Sequence, residues 1–300
     1  MLIPQAESND TMANDPLVSV ITRTLNRPEM LREALESVAA QTYKNIELVV
    51  INDGGRDVSD IVKHYKEKLI TVRYIHLEAN RGLSAAGNIG MESATGKYIN
   101  FLDDDDWFHP EHISGLVETL EADEEVGVAY SAVQCIREDS SGNREPSYVF
   151  MTPFDATLLL VQNYIPVHAA LFRREYITDR CRFDESLDTY DDWDFWVQLS
   201  NKTQFKFVDK ITAYYRITQG SGFGLDGDEV RIRNSLEIFY NKWRKHWTNK
   251  QLVDITNYAK QFNEKTSLQK QLKQNISTIE QLHNDIAKLK ASNAKLKESS

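Results

Sequence analysis

Four consecutive aspartates, Asp103 to Asp106, are the residues of the sequence best suited to chemistry. Adjacent carboxylates repel one another, so this acidic run requires a cation, hydrogen-bond donors or full solvation. It follows an apolar segment, residues 97–102, and ligands of open parallel sheets bind at the carboxyl ends of strands. Hard carboxylate oxygens suit Mg²⁺ or Mn²⁺ shared with a phosphorylated substrate. We therefore expect a divalent-metal and diphosphate site; an exposed acidic loop is the alternative.

A second acidic cluster, residues 188–194 (DTYDDWD), lies among aromatic residues. A carboxylate beside an aromatic wall loses solvation, which raises its pKa and suits it to act as a general base. The alternative is a helix N-terminus, where aspartate is favoured by capping and by the helix dipole. Both can hold, with one aspartate capping the helix and its neighbour projecting into a site.

Asp53 follows another apolar segment, residues 46–51, and precedes two glycines that permit a tight turn and close approach of a ligand. Its carboxylate can accept hydrogen bonds from a base or ribose, or it can cap the next helix. The Walker P-loop, HExxH and GxSxG motifs do not occur in the sequence. The histidines are scattered, and we expect His168 to form local hydrogen bonds rather than bind a metal.

Strand and helix patterns alternate along the first half of the chain. The predicted strands there are residues 17–22, 46–51, 72–76 and 97–102. This alternation predicts an α/β fold, a mostly parallel central sheet with helices on both faces. Asn26 is expected to cap the first helix, with Pro28 in its first turn.

Beyond the acidic run the pattern is less regular. The predicted segments are a helix at 110–122, strands at 126–131, 169–172 and 205–208, a hairpin tip at 138–143, and a helix at 193–199.

The C-terminal segment has a heptad pattern. Seven apolar residues and two asparagines recur at alternating steps of four and three: Leu268, Leu272, Asn275, Ile279, Leu282, Ile286, Leu289, Asn293 and Leu296. Isoleucine at a positions with leucine at d positions favours a parallel two-stranded coiled coil. An amphipathic helix folded back on its own domain is the alternative. We expect a homo-oligomer formed through residues 265–300, in a chain that is a fragment of a longer multi-domain enzyme.

Composition narrows the classes of function. Of 300 residues, 41% are hydrophobic and 27% charged, which excludes global disorder. The formal net charge of −10 argues against a nucleic acid or an anionic membrane surface as the main partner. The two cysteines, Cys135 and Cys181, are too few for a disulfide framework, which favours a reducing compartment.

Targeting signals are not evident. No stretch of 18 apolar residues occurs, so no transmembrane helix is expected. Residues 1–15 lack the basic and apolar regions of a secretory signal and are expected to be a mobile lead-in. The expected location is cytoplasmic, and peripheral association with the inner face of the membrane stays open.

Four segments together resemble family 2 glycosyltransferases, which have the GT-A fold. They are VSVITRTLNRPEMLREALESVAAQTYKNIELVVINDGG, NRGLSAAGNIGMESATGKYINFLDDDDW, DDWDFW and YRITQGS, all within residues 16–225. The resemblance implies a metal-dependent, inverting transfer of a sugar from a nucleotide-diphosphate donor to an acceptor hydroxyl. It also implies a glycan or glycolipid acceptor, in polysaccharide or glycoconjugate synthesis.

The resemblance assigns roles to individual residues. Those that would line the nucleotide pocket or contact the donor are Thr22, Arg23, Thr24, Asp53, Asn88, Asp103 and Asp104. Asp103 to Asp105 match the DxD signature, in which Asp105, with Asp103, would hold Mn²⁺ or Mg²⁺. Asp191 and Asp192 match a Glu-Asp pair whose second member is the base, so Asp192 is the catalytic candidate.

The sequence departs from the family pattern at three positions. Arg23 stands where proline is common, and Gly87 stands where arginine is often found. Thr218 replaces a histidine near the diphosphate. We expect Arg23 or Arg81 to compensate for the missing arginine, and metal affinity or donor preference to differ from typical members.

The expected domains are a lead-in (1–15), a GT-A domain (16–245) with nucleotide-sugar (16–130) and acceptor (131–245) halves, a helical linker (246–264) and a coiled coil (265–300).

Two other functions are considered. A nucleotidyltransferase needs a basic phosphate-binding loop after the first strand, where only Arg23 and Arg27 occur. The second is a non-catalytic oligomerisation scaffold, and the intact acidic pairs argue against that function.

Overall fold

A computed structural model describes residues 15–218 and 229–261. The chain divides into two units, with the boundary between His246 and Trp247. In the second unit residues 249–261 are helical. The predicted coiled coil (265–300) and all but the last residue of the predicted lead-in lie outside the described residues. In the part of the chain that is described, no helix is long and apolar enough to cross a membrane.

The first half of the first unit is a parallel sheet, as the alternating pattern predicts. Its strands are β1 (Val18–Thr24), β2 (Ile46–Asn52), β3 (Thr71–His76) and β4 (Tyr98–Phe101), connected by helices α1 (Pro28–Ala39), α2 (Ser59–Lys63) and α3 (Leu83–Ser93). The strand order is β3-β2-β1-β4, and all three pairings are parallel. Every residue of β1, β2 and β4 is buried, which explains why these strands read as nearly continuous apolar runs.

The second half is mixed rather than parallel. Its strands are β5 (Trp107–Phe108), β6 (Val126–Glu138), β7 (Arg144–Phe150), β8 (Ala170–Arg173) and β9 (Gln204–Ile217). β6 and β9 pair in parallel, whereas β8 is antiparallel to β4 and β6, β7 to β6, and β5 to β9. The short turn between β6 and β7 explains why these two strands pair antiparallel, because a parallel pair needs a longer crossover connection. β6 and β9 extend beyond the predicted segments because polar residues interrupt their apolar pattern.

The remaining helices include the one that carries the second acidic cluster. They are α4 (His112–Glu121), α5 (Ala156–Leu159), α6 (Asp191–Ser200) and α7 (Glu229–Trp243). α7 fixes α6, since the ring of Trp193 lies 4.0 Å from that of Phe239. The buried carboxylate of Asp194 accepts hydrogen bonds from Lys242 at 2.8 Å and from the Trp243 indole at 2.7 Å. Asp194 is therefore a structural anchor of α6.

The start of α1 differs from the prediction. Asn26 is not the cap: it has a φ of 58°, and its side-chain oxygen accepts the backbone N–H of Arg56 at 2.8 Å. Asparagine tolerates this left-handed backbone conformation better than most residues. Asn26 also lies one position before the N-cap residue of the helix. Arg27 is the N-cap residue and forms no side-chain cap, while Pro28 begins the helix as predicted. The Arg27 side chain is consequently available for other contacts.

Three adjacent strands end at one edge of the sheet. β1 lies between β2 and β4, so the segments that follow these strands leave the sheet side by side. This arrangement brings Arg23 and Thr24, Asp53 and the acidic run to one edge of the sheet, the edge at which ligands of open α/β sheets bind.

Candidate active site

Arg23 neutralises the first residue of the acidic run. Its Nε and Nη2 donate to the two carboxylate oxygens of Asp103 at 2.7 and 2.8 Å, a bidentate ion pair. The guanidinium is 3% exposed and lies 5.3 and 5.5 Å from the ring centres of Phe101 and Phe183. Burial acts to raise the pKa of Asp103, but the charge and hydrogen bonds of Arg23 outweigh it, so that the pKa lies below its ordinary value.

Arg23 also joins the two acidic clusters. Its Nη1 lies 3.3 Å from Oδ2 of Asp191, the first residue of α6. Gly87 leaves room for this side chain, because a Cβ at that position would lie 3.3 Å from Nη1 and 2.6 Å from the Phe183 ring. That Arg23 or Arg81 compensates for the arginine that the resemblance places at position 87 stays a prediction.

Arg27 and Thr24 hold the middle of the run. Arg27 contacts Asp104 Oδ1 at 2.5 Å and Asp105 Oδ2 at 2.6 Å. Thr24 Oγ1 donates to the other oxygen of Asp104 at 2.7 Å. Burial raises the pKa of Asp104 to about 6 against the opposing effect of Arg27, and burial also raises the pKa of Asp105. Asp104 is fully buried, whereas Asp105 is partly exposed.

Asp106 is buried and serves the fold. Its Oδ1 accepts the backbone N–H of Arg216 at 2.9 Å, and its Oδ2 lies 3.1 Å from His168 Nδ1. Burial and the charge of Asp105 raise the pKa of Asp106 well above its ordinary value, while burial lowers the pKa of His168 to about 4. The raised pKa of Asp106 and the lowered pKa of His168 each favour the neutral form of the group. Asp103 and Asp105 are therefore the partly exposed carboxylates of the run.

Asp192 has one carboxylate oxygen held by donors. Oδ1 accepts the side-chain amide of Asn163 at 3.0 Å and the backbone N–H of Trp193 at 2.8 Å. Within the described residues no hydrogen bond is formed to Oδ2. Burial and the charge of Asp191 raise the pKa of Asp192 to about 7, against the two donors and Arg23. A carboxylate with this pKa and one unengaged oxygen can accept a proton near neutral pH.

The other predicted donor-binding residues have different surroundings. Asp53 accepts two backbone N–H groups just before α3, at 2.7 and 3.0 Å, and so ties β2 to that helix. Thr22 is buried, and its hydroxyl has no hydrogen-bond partner among the described residues. The amide of Asn88 donates to and accepts from the backbone of Phe183, at 3.1 and 3.0 Å, and holds the segment before α6. Roles of these residues toward a donor stay predictions.

The acidic run offers a divalent cation some, but not all, of its ligands. Oxygens of Asp103 and Asp105 suit Mg²⁺ or Mn²⁺. In residues 15–218 and 229–261, however, no three acidic, histidine or cysteine side chains are grouped to hold a metal ion. An ion here would need oxygens of a bound diphosphate as further ligands, as the sequence predicts.

Three residues that support these carboxylates, Arg27, Asn163 and Arg216, are missing from the sequence-based site. Arg216 lies in the YRITQGS segment, so its place in a matched segment is a signal that could have identified it. Asn163 lies in a segment with no motif, and only the three-dimensional structure brings it to Asp192.

The comparison with protein families decides the class of this protein. The model of glycosyl transferase family 2 matches residues 19–180, more than half of the chain. The chain belongs to glycosyl transferase family 2. It is therefore a glycosyltransferase, which leaves the nucleotidyltransferase and scaffold alternatives without support.

Relatives in this family come from archaea and bacteria. An uncharacterized glycosyltransferase of Methanocaldococcus jannaschii is 28% identical over 244 residues, which cover 78% of this chain and 81% of that protein. The uncharacterized glycosyltransferase YwdF of Bacillus subtilis is 31% identical over 202 residues, 66% of this chain and 73% of that protein. An uncharacterized glycosyltransferase of Rickettsia felis is 32% identical over 215 residues, 69% of this chain but only 35% of that protein.

Solved glycosyltransferase structures show the same GT-A fold. TarS of S. aureus (residues 1–349, in complex with UDP-GlcNAc) has a TM-score of 0.55 and 22% identity, and the match covers 75% of this chain and 64% of that one. The mannosyltransferase PcManGT of Pyrobaculum calidifontis, in complex with GDP-Man and Mn²⁺, has a TM-score of 0.57 and 18% identity, covering 79% and 66%. These likenesses establish the fold of this family member.

Replacing Asp192 by asparagine is expected to stabilise the protein above neutral pH. The pKa of Asp192 is about 7 in the folded state, against an ordinary value of about 3.9 when unfolded. Between these values the folded state binds more protons, so the free energy of unfolding of the wild type falls as pH rises. Asparagine carries no charge, and we expect Asp192→Asn to be more stable than wild type by about 1–3 kcal/mol at pH 8 and by much less at pH 4.

Urea unfolding at both pH values measures this difference. Asp60→Asn on α2 is the matched control, because its carboxylate is exposed and pairs with Lys63 at the surface. A stability difference for Asp192→Asn that stays the same at both pH values would contradict the raised pKa.

Proposed function

We propose that this glycosyltransferase moves a sugar from a nucleotide-diphosphate donor to an acceptor hydroxyl and inverts the anomeric centre. The observation that carries the proposal is the bridge formed by Arg23 between Asp103 and Asp191. It places carboxylates suited to a diphosphate and its metal next to the start of α6, where Asp192 is suited to act as a base.

The donor would lie over the edge formed by β1, β2 and the acidic run. Asp53, beside the turn at Gly54 with its φ of 78°, would bind the base, and Thr22 to Thr24 would line the nucleotide pocket. Asp103 and Asp104 would approach the ribose and the sugar. Similar solved proteins bind UDP-GlcNAc and GDP-Man, which supports a nucleotide-sugar donor but leaves its identity open.

Asp105 and Asp103 would hold Mn²⁺ or Mg²⁺ at the diphosphate. When bound, the ion supplies Lewis-acid chemistry, which neutralises charge on the departing diphosphate. Arg23 and Arg27 reduce the negative charge of the run, since each forms ion pairs with it. Without these two arginines the carboxylates would repel the donor diphosphate.

Asp192 would supply the base for a single displacement. Its Oδ2 takes the proton of the acceptor hydroxyl as the hydroxyl oxygen bonds to the anomeric carbon. The bond from that carbon to the diphosphate oxygen breaks, and its electron pair leaves with the nucleotide diphosphate. Asn163 and the Trp193 amide hold Oδ1, which orients Oδ2 for this proton transfer.

The acceptor would bind the second half of the first unit, and a glycan or glycolipid is the class of acceptor that we propose.

Release of nucleoside diphosphate from a panel of sugar nucleotides, with Mn²⁺, Mg²⁺ or EDTA, tests the function and identifies the donor. If no sugar nucleotide binds or reacts under any of these conditions, the proposal fails.

Asp192→Asn is expected to lower turnover by roughly 10²–10⁴-fold, because asparagine cannot accept the proton of the acceptor. Donor affinity should stay nearly unchanged, since the donor contacts lie on the acidic run and Asp53. Kinetics with the identified donor and titration calorimetry measure the two quantities. Asp188→Asn, an exposed carboxylate of the same cluster, is the control. Wild-type turnover in Asp192→Asn rejects this residue as the base.

Asn163→Leu is expected to shift the pH dependence of the reaction. The Asn163 amide stabilises the charged form of Asp192, so its loss raises the pKa of that carboxyl above about 7. Because the base must be deprotonated, the acidic limb of the kcat/KM profile should move to higher pH by about half to one unit. Gln162→Leu, at an exposed neighbour, should leave the limb in place. A uniform loss of rate with no shift would show that Asn163 does not tune the base.

A further inference from the structure

We propose that Arg216, at the end of β9, is a positioning residue that fixes the acidic run for diphosphate binding. This inference rests on the proposed function, because it concerns how the site meets the donor. Arg216 is 3% exposed and lies close to the end of the first described range.

Arg216 holds the acidic run at two consecutive residues. Its backbone N–H donates to the carboxylate of Asp106 at 2.9 Å, and its Nε donates to the backbone carbonyl of Asp105 at 2.7 Å. Trp107, the next residue, belongs to β5, which pairs with β9 through Tyr214. The main chain on the C-terminal side of the candidate metal ligand Asp105 is therefore attached to β9 by side-chain and backbone contacts.

The orientation of the guanidinium is itself determined by neighbouring groups. One terminal nitrogen donates to Glu33 on α1 at 2.5 Å, the other donates to Glu138 on β6, and the Trp107 ring centre lies 5.0 Å from Cζ. These partners use the planar fork of arginine, which lysine cannot reproduce. Only an arginine can contact Asp105, Glu33 and Glu138 at once from this position.

Arg144 on β7 provides a matched comparison within the same cluster. It donates to both oxygens of Glu33 at 2.6 and 2.8 Å and to Glu138 at 2.7 Å. Its Cζ lies 4.9 Å from the Trp107 ring centre, almost the same distance as for Arg216. The described contacts of Arg144 do not include the acidic run. The two arginines share their carboxylates and their aromatic partner, but only Arg216 contacts the acidic run among the described residues, and Arg216 is 3% exposed against 39% for Arg144.

The Arg216 contacts affect how the acidic run responds to the charge of a bound diphosphate. A donor diphosphate brings negative charge to a run that already holds several carboxylates, so repulsion would favour displacement of a loosely held loop. The Arg216 contacts oppose this displacement by fixing the carbonyl of Asp105. A shift of about 1 Å in a site of this kind costs up to 10²-fold in rate. Arg216 thus acts through Asp105 and Asp106 and is not itself expected to touch the substrate.

Titration calorimetry with UDP and GDP, with and without Mn²⁺, tests the inference on the full chain. For the nucleotide that the wild type binds, Arg216→Lys should weaken binding in Mn²⁺ by about tenfold or more, and Arg144→Lys by less than threefold. The corresponding nucleoside, which reaches Asp53 but has no phosphate, should bind both variants as it binds the wild type. General damage to the fold would weaken nucleoside and diphosphate binding alike, which would overturn the inference.

The outcomes separate this inference from the proposed function. Equal diphosphate binding by wild type, Arg216→Lys and Arg144→Lys overturns the positioning role and leaves the proposed function intact. A wild type that binds neither UDP nor GDP, nor the nucleoside diphosphate of any other sugar nucleotide in the donor panel, overturns the proposed function and this inference with it. If Arg216→Lys does not fold, Glu138→Gln provides the second variant, because it removes one group that orients the fork; it should weaken diphosphate but not nucleoside binding, and unchanged diphosphate binding would reject the role.

Discussion

The guanidinium of Arg23 is the interaction on which the geometry of the site depends. It is almost completely buried and lies between two carboxylates that come from opposite halves of the chain, Asp103 after β4 and Asp191 at the start of α6. A buried charge is costly unless it is paired and hydrogen-bonded, and here each partner makes the burial of the other tolerable. Arg23 can reach both because β1 lies between β2 and β4 and because Gly87 has no side chain to fill the space beside it.

The rest of the structure holds the two carboxylates in place for this shared cation. On one side α7 is bound to α6 through the buried Asp194 and the stacked rings of Trp193 and Phe239. On the other side Arg216 ties the acidic run to β9. The elements that come late in the chain thus determine the geometry of residues that the first parallel strands bring to the sheet edge.

The sequence was sufficient to predict what depends on local patterns. The strands β1 to β4 and the position of Asp53 and the acidic run at their carboxyl ends follow from apolar periodicity and the rules for parallel sheets. It could not show that Asp106 turns into the fold, because the partner that fixes it lies 110 residues later. Asn163 reaches Asp192 across 29 residues with no motif to mark it. The prediction that Asn26 caps the first helix was wrong: Asn26 has a left-handed backbone, and Arg27 is the N-cap residue.

A double-mutant cycle between Arg23 and Asp103 tests the central claim most directly. The free energies of unfolding in urea at neutral pH are compared for wild type, Arg23→Met, Asp103→Asn and the double variant. If the buried pair maintains the site, each single change leaves an uncompensated group, and the cycle should give a coupling energy of about 2 kcal/mol or more. Single effects that add to the double effect within about 0.5 kcal/mol would show that the two side chains act independently, and would contradict the account.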